Sequence, residues 1–593
     1  MYKGTLGNYL VKSSLPKKYQ PQGSNFGIRE VKSSLVDLAR EDPEAYSTVA
    51  PEIKKLGDEF STYEGLSVGL DDIEPEYKKR DPIIRSARSQ ILKAKNDNEI
   101  TSILLKTQKK IKDITKTHSG DMALTANAGA KGNINQLMKA VGSPVVIGDA
   151  TGKPTPYLIE RGYSEGISPA EAWIGAIEAR ANGITAATSV TGPGEMQKVM
   201  ANMMSPLVVS NTDCGTKNGI LMDPKAKSIE GRYLAGSNKY VDSSMYRKLR
   251  SAGKKVKVRS ALTCEADGGI CQKCAGRDNY GNNIDIGSNV GIRSSQALTE
   301  PLTQMTLSAR HGVNLVSGKG ADLKLRGLKG FKQLVEMPKS FMHKAPLADV
   351  AGKVTKIDRA PQGGFDIDIG GTAHYVPPNR QLKVSLNQTV EAGDVLSNGI
   401  PNPADVMRHK GIGEGRKYLA ESLNTLYDDE GIRADPKHFE YLAKTQFNYV
   451  KADTRLGEYL PGEVIPYNEA KKLLKDKSQT IQLSKSKGMT LMEPALHHMP
   501  GTKITGSMIR DLREAGMSKV LASDNSTKFT PIAASAIRTP LFNPNWLQRL
   551  GYRYQKATIL SAAASGEKAD IHGFNPIPGI VTGEIGRGFD GAY

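Results

Sequence analysis

Three of the four cysteines in this 593-residue chain stand in one run, Cys264-Glu-Ala-Asp-Gly-Gly-Ile-Cys271-Gln-Lys-Cys274, and the fourth, Cys214, lies fifty residues earlier. A Cys-x6-Cys-x2-Cys cluster puts three thiolates on a tight turn, and Gly268 and Gly269 supply the backbone freedom that such a turn needs. A distant fourth thiolate completes a tetrahedron, the arrangement that zinc takes. With four protein ligands and no spare position, the site is expected to be structural. Buried free cysteines of a reducing compartment would not gather three of four within eleven residues.

At this length several domains are expected, with ample material for buried cores. The sequence has no membrane-spanning run. Its first ten residues mix Lys3 with Gly4, Gly7 and Asn8 and lack the apolar block of a signal peptide, so an intracellular protein is expected. A formal net charge of +19 suits a polyanion or an acidic protein surface as partner. Aromatic residues, at 6%, are too sparse for base stacking along single strands to be the main binding mode.

No tandem repeat or long low-complexity tract interrupts the chain, which reads as a mixed α and β, multi-domain, helix-rich protein. Apolar residues from Ile91 to Ile114 recur among charges at helical spacing, predicting an exposed coiled pair over 81–117. Three strands are expected at Gly352-Lys-Val-Thr-Lys-Ile, Phe365-Asp-Ile-Asp-Ile and Leu382-Lys-Val-Ser-Leu, separated by Gly and Pro turns. Helices resume over 403–451, and a further one is expected over 552–564 ahead of a Gly-rich tail.

Ser168-Pro169-Ala170-Glu171 carries clear helix-start chemistry: Ser as N-cap, Pro in the first turn, and Glu three residues after the Ser to close a capping box. The Ala-rich segment that follows, 172–191, either lets flat ligands and other backbones approach closely or is a tightly packed core helix. Gly192-Pro193-Gly194 is expected to break or kink it. A second stretch, 286–312, ends a helix-compatible run at His311, ahead of a Gly-rich and basic segment. A helix ending this way can fold over a site, and the His can donate a proton near neutral pH.

At these residues the chain resembles the carboxy-terminal half of the largest catalytic subunit, beta-prime, of multisubunit DNA-dependent RNA polymerases. Asp213-Cys214-Gly215-Thr216 and the cysteine run followed by Gly276-Arg277-Asp278 are similar to that subunit's second zinc site. Ile286-Gly287, Val290-Gly291, Gln296, Glu300-Pro301, Thr303-Gln304, Thr306 and His311 resemble the first helix of its trigger loop. Gly129-Ala130-Lys131-Gly132 resembles a turn near the incoming nucleotide, and 166–200 resembles the bridge helix. Leu66 to Asp72 resembles the funnel, Val390 to Asp394 and Asp435 to His438 the segment after the trigger loop, and 555–588 the family's carboxy-terminal end. Similarity in this order covers nearly the whole chain.

The resemblance implies an RNA polymerase subunit with bridge helix, trigger loop, zinc-binding module and a β-rich segment after the trigger loop. Implied boundaries are a funnel region at 1–125, an active-site wall and bridge helix at 126–205, the zinc module at 206–285 and the trigger loop at 286–338. A β-rich segment at 339–402, a jaw-like helical region at 403–530 and a clamp-base region at 531–593 follow. Nucleotidyl transfer in this family uses two Mg²⁺ ions on the attacking and leaving oxygens. Gln304 would face the sugar, Leu307 would pack on the base, and His311 would reach the phosphates as a general acid or a positional donor. Arg180, Asn182, Ala186, Ala187, Val190 and Thr191 would face template and active centre, and Lys131 would help neutralise the triphosphate.

Departures from the family pattern carry their own expectations. Ser308 stands where Arg is usual, and Arg310, where Phe is usual, is expected to compensate. Val190, Thr191 and Pro193 predict a sharper kink within 190–196. The family's Asn-Ala-Asp-Phe-Asp-Gly-Asp loop, which holds catalytic Mg²⁺, is absent, so a split subunit is expected, with an amino-terminal beta-prime-like chain holding the magnesium. Beta-like chains, DNA template, RNA product and nucleoside triphosphates are the other implied partners, with room for a promoter-specificity subunit and none for a membrane. The short trigger loop and the substitutions point to a large bacteriophage, hence to host cytoplasm, with packaging in a virion as a second location. Two other classes compete: a non-catalytic zinc-containing DNA-binding or scaffold protein, and a nuclease built on carboxylates such as Asp71-Asp72 or Asp428-Asp429-Glu430, which read better as solvated or capping groups.

Overall fold

The computed structural model describes residues 4–568 except 24–25, 149–153, 189, 279–280, 309–324, 326, 379, 431, 433, 475–477, 525–527 and 551–552. The chain divides into two compact units, one formed by Met1–Ser189 with Leu307–Ala321, the other by Val190–Thr306 with Asp322–Tyr593.

The first unit is helical. Helices α1 (Leu6–Ser14), α2 (Ile28–Glu41) and α3 (Pro43–Tyr63) share a small core of Leu15, Leu38 and Val49. Helices α4 (Tyr77–Ile91) and α5 (Asp97–Thr115) form the expected pair, burying Ile84, Leu104 and Ile111 against each other and leaving their charged faces in solvent. Asn96 starts α5 by accepting the Glu99 amide at 3.0 Å. Asp72 is a cap rather than a metal ligand: it is buried and accepts the Gly69 amide at 2.8 Å. Short helices α6 (Asp121–Ala128) and α7 (Ile134–Leu137) flank Lys131, and α8 (Pro169–Thr188) follows them.

The α8 start is the capping box read from sequence. The Glu171 amide donates to Ser168 Oγ at 3.3 Å, and Glu171 Oε2 accepts the Ser168 amide at 2.8 Å. Glu171 Oε1 also takes the Glu160 amide at 2.9 Å, which ties the preceding loop to the helix. The break expected at Gly192-Pro193-Gly194 falls just ahead of the motif: α8 ends at Thr188 and a separate helix begins at Thr191. The motif lies inside this helix, α9 (Thr191–Met204), where the Gly194 amide donates to Val190 O at 3.1 Å. Pro193 occupies the first turn of α9, where an N–H has no acceptor in the helix, so the missing donor costs nothing.

In the second unit β1 (Val209–Asn211), β2 (Ile220–Met222), α10 (Ser243–Ala252), β3 (Val256–Val258), β4 (Ile270–Cys271) and α11 (Gln272–Ala275) make a compact module of short elements. Then come α12 (Val290–Ser308), α13 (Gly327–Glu336) and a four-stranded antiparallel sheet in the order β7 (Thr372–Val376), β6 (Phe365–Ile369), β5 (Gly352–Arg359), β8 (Thr389–Val390). Two of the three expected strands are present. The third, over 382–386, makes only a Leu382–Ser397 bridge, because the Gly370-Gly371 turn, with φ of +57° and +84°, folds β7 back onto β6 instead.

Helices α14 (Pro403–Asp429) and α15 (Pro436–Gln446) supply most of the central core with α9, α12 and α13. Met200 and Met204, Leu298 and Leu302, Phe331 and Leu334, Leu419 and Leu423, and Phe439 and Phe447 are all buried there, each contributing about 1.5–3 kcal/mol. Burial on this scale holds α12 along its first three turns. Arg232, almost wholly buried, pairs with Glu440 of α15 at 2.9 and 2.5 Å, and Ser260 Oγ donates to the same carboxylate at 2.6 Å. Removing one partner of such a pair costs about 3–5 kcal/mol, since the other charge stays buried.

The remaining chain adds β9 (Tyr449–Ala452), β10 (Val464–Pro466) and α16 (Tyr467–Lys472), then β11 (Gln479–Gln482), β12 (Thr490–Leu491), α17 (Gly506–Glu514), β13 (Lys519–Ser523) and β14 (Phe529–Pro531). Strands β11, β13 and β12 with α17 enclose a separate core around Leu491, Met508 and Leu512. Helix α18 (Trp546–Arg549) precedes α19 (Gln555–Ser565), three residues shorter at its start than the helix expected from 552. Among the described residues no helix is long and apolar enough to cross a membrane.

Candidate functional site

The four cysteine sulfurs converge. Cys214 sits just after β1, Cys264 follows a short 3-10 turn, Cys271 ends β4, and Cys274 lies in α11, so four local elements each deliver one ligand. All four sulfurs lie within 4.8 Å of one another, and Cys214 is 3.8 Å from both Cys264 and Cys274. A tetrahedral zinc with arms of about 2.3 Å has sulfur–sulfur edges of about 3.8 Å, so the cage fits the ion.

The turn that shapes this cage needs its glycines. Gly268 and Gly269 adopt φ of +70° and +67°, and a Cβ on Gly269 would lie 2.0 Å from Val208 O. Amides of Cys271 and Cys274 donate to Cys264 Sγ and Cys271 Sγ, both at 3.4 Å. These dipoles oppose the negative charge that four thiolates accumulate.

Arg259 completes the site and was not singled out in sequence. Its buried guanidinium stands 3.2 Å from Cys214 Sγ and 3.4 Å from Cys271 and Cys274 Sγ, while Nη1 donates to Asp213 Oδ1 at 2.7 Å and Asn238 Oδ1 at 2.8 Å. Burial works against its charge, yet Cys274, Asp213 and Cys214 more than offset this and push its pKa up. The neighbouring thiols, Cys264 first, hold the Cys214 thiol far below the usual range. A cation fixed beside three of the four sulfurs lowers the net negative charge of the cage. A lone Arg between Val258 and Ser260 gives no sequence signal of that role.

The sequence-predicted nucleic-acid residues fall elsewhere. On α8, Trp173, Ile177, Arg180, Ile184 and Ala187 are exposed, and their spacing puts them on one stripe of the helix. This helix therefore keeps an apolar face with a central Arg in solvent and is no core helix. Side chains of Asn182 and Ala186 lie outside the described residues, and Val190 and Thr191 are exposed at the start of α9. Lys131 is exposed in a turn made by Gly129 and Gly132, with φ of +72° and +69°.

Gln304 is exposed on α12, two residues beyond buried Leu302. The Leu307 side chain, Arg310 and His311 lie outside the described residues. What the structure shows is how α12 is anchored: Ser294 Oγ is 2.7 Å from His438 Nδ1, and the Tyr427 hydroxyl donates to Leu298 O. The cysteine cage and these anchors belong to one continuous core.

Such an assembly, a largely buried four-cysteine cage sharing its core with a long helix, defines a mixed α and β protein with a cage of a kind compatible with zinc. Comparison with known proteins gives that class a family likeness. The family model for RNA polymerase Rpb1, domain 5, matches residues 166–362, from the α8 cap to β5. The DNA-directed RNA polymerase subunit beta' of Moorella thermoacetica is 28% identical over 470 residues, covering 71% of this chain and 40% of that protein. That of Heliobacterium modesticaldum is 29% identical over 475 residues, covering 70% and 39%. That of Chloroflexus aggregans is 26% identical over 535 residues, covering 72% and 35%. The chain is thus beta-prime-like over most of its length, and it spans about two fifths of the first two of these relatives.

Proposed function

We propose that this chain is the carboxy-terminal, beta-prime-like part of a multisubunit DNA-dependent RNA polymerase, in which α8 and α9 act as the bridge helix and α12 opens the trigger loop. The observation that carries the reading is similarity to beta-prime subunits over about 70% of the chain, continuous through α8, the cysteine module and α12. The exposed stripe on α8 supports it, since Arg180 with the small Ala187 would let a nucleic-acid base pair approach. The charge of +19 supports it as well, because DNA, RNA and nucleoside triphosphates are polyanions.

In this reading Lys131 neutralises triphosphate charge, Gln304 faces the sugar, Leu307 packs on the base, and His311 donates to the phosphates. Arg310 restores a positive charge that Ser308 leaves out. Catalytic Mg²⁺ would be held by an amino-terminal beta-prime-like chain, and when bound it would supply charge stabilisation to the attacking and leaving oxygens. Zinc on Cys214, Cys264, Cys271 and Cys274 fastens the segment that joins α9 to α12 in sequence. The short segment between α12 and α13, with Ser308, Arg310 and Pro193, supports a divergent enzyme of the large-bacteriophage kind.

The test is templated RNA synthesis by the chain copurified with its native partners. His311→Ala should slow nucleotide addition by about 100-fold or more, with lost pH dependence if His311 is the proton donor and retained pH dependence if it positions charge. A complex that makes no RNA, or an isolated chain that binds DNA with full activity as a scaffold, overturns the reading.

A further inference from the structure

A second cluster of four metal-ligating side chains lies outside the cysteine module: Glu414, His497, His498 and Asp511, one donor atom of each lying within 4.8 Å of the others. Three separate segments deliver them. Glu414 sits on α14 just after Gly411, whose φ of +86° interrupts the helix, so that the carboxylate rides on the first turn of the restarted segment. His497 and His498 close a tight turn in which Ala495 and His498 exchange backbone hydrogen bonds at 3.0 Å, with Leu496 at φ of +54°. Asp511 projects from α17, whose start is pinned by Glu391 accepting the Gly506 and Ser507 amides at 2.8 and 3.1 Å.

Close approach of these segments is built into the backbone. A Cβ on Gly413 would lie 1.9 Å from His497 O, and one on Gly411 would lie 2.4 Å from the Thr502 side chain. Only glycine lets α14 run this close to the 495–502 segment.

An ordinary ion pair accounts for half of the cluster. His497 Nε2 is 2.6 Å from Glu414 Oε2, a good hydrogen bond. His498 is different: its side chain is 5% exposed, and both ring nitrogens are buried without a hydrogen-bond partner. Leaving such polar atoms unpaired in the interior is unfavourable. Its Nε2 faces Asp511 Oδ2 at 3.5 Å, too long for a hydrogen bond. A tetrahedral zinc with arms of about 2.0–2.1 Å separates neighbouring N and O donors by about 3.3 Å, so this spacing is the one expected of two ligands on a shared ion.

We propose that Glu414, His497, His498 and Asp511 bind a divalent cation of borderline softness, zinc foremost, in a second structural site. Two imidazoles and two carboxylates suit zinc, their charge cancels that of the ion, and four protein ligands leave no open position. The ion gives His498 the partner it lacks in the protein and opens the Glu414–His497 pair by less than one ångström. Lys417, on the same helix as Glu414, faces the cluster and stays outside the donor set. The consequence is mechanical: the ion staples the small core around Leu491, Met508 and Leu512 to α14 of the central core.

The experiment is cobalt titration of the full chain, stripped of metal beforehand, with zinc content measured in parallel. Wild-type protein should show, beside the thiolate charge-transfer band of the cysteine cage, a second component of d–d absorption with no thiolate band. Asp511→Asn and His498→Gln should each weaken that component by about tenfold or more while the thiolate band keeps its full intensity. The thiolate band also reports folding, because the cysteine cage shares the central core, and a variant that loses it is replaced by the other. A wild-type titration in which d–d intensity ends with the thiolate band overturns the proposal, as do variants that bind the second ion as tightly as the parent.

Discussion

The two four-ligand clusters of the second unit differ in how far apart along the chain their donors lie. In the cysteine cage three ligands fall within eleven residues and share one glycine turn; in the Glu–His–His–Asp cluster, donors come from 414, 497, 498 and 511 and meet only because α14, the 495–498 turn and α17 pack together. The first is therefore largely a local structure, three of its four ligands being set by one loop. The second can exist only after the cores on both sides have formed. Local spacing makes a site that shapes the fold, whereas tertiary convergence makes one that secures it.

That contrast can be broken most forcefully at the cage. Cys271→Ser should abolish zinc binding there and unfold the module, because structural zinc is worth roughly 10 kcal/mol or more in small modules. Metal content with thermal unfolding measures this, and a variant that keeps the wild-type melting profile would show that the cage is dispensable. A smaller effect is expected for Arg259→Met, which removes the buried cation beside three sulfurs and keeps the bulk. Affinity for zinc should fall by about 10- to 100-fold by chelator competition, as for other groups surrounding a metal's direct ligands. The smallest and most selective change is Gly413→Ala. Its Cβ would push the 497–498 segment away from α14 at a cost of about 1–3 kcal/mol, loosening the second cluster while the cysteine cage retains its metal. Equal loss at both clusters would mean that they are one cooperative structure.

Features written into a few adjacent residues were legible. The Ser168–Glu171 box, the α4–α5 pair and the cysteine turn each depend on contacts within a few residues or on one period of apolar side chains. Where reading failed, a distant partner or an exact register decided. Leu382 to Leu386 has the alternation of a strand but lost its place to Thr372–Val376, which a two-glycine turn delivers to β6. Gly192-Pro193-Gly194 was expected to hold the helix break itself, yet the break falls between Thr188 and Thr191 and the motif forms the first turn of the next helix. Arg259, Glu414 and Asp511 look like surface charges. Nothing near them in sequence says that burial beside sulfur or imidazole awaits them.

By itself the sequence determined the cysteine cage, the capped α8, the order of the beta-prime-like motifs and the basic character of the chain, because these reside in composition and short-range spacing. Only the tertiary structure decided that Arg259 lies against the sulfurs, that α8 keeps its Trp173–Ala187 stripe in solvent, and that two histidines and two carboxylates converge. Those facts depend on which surfaces are removed from water together, and burial is a property of the packed chain rather than of any segment of it.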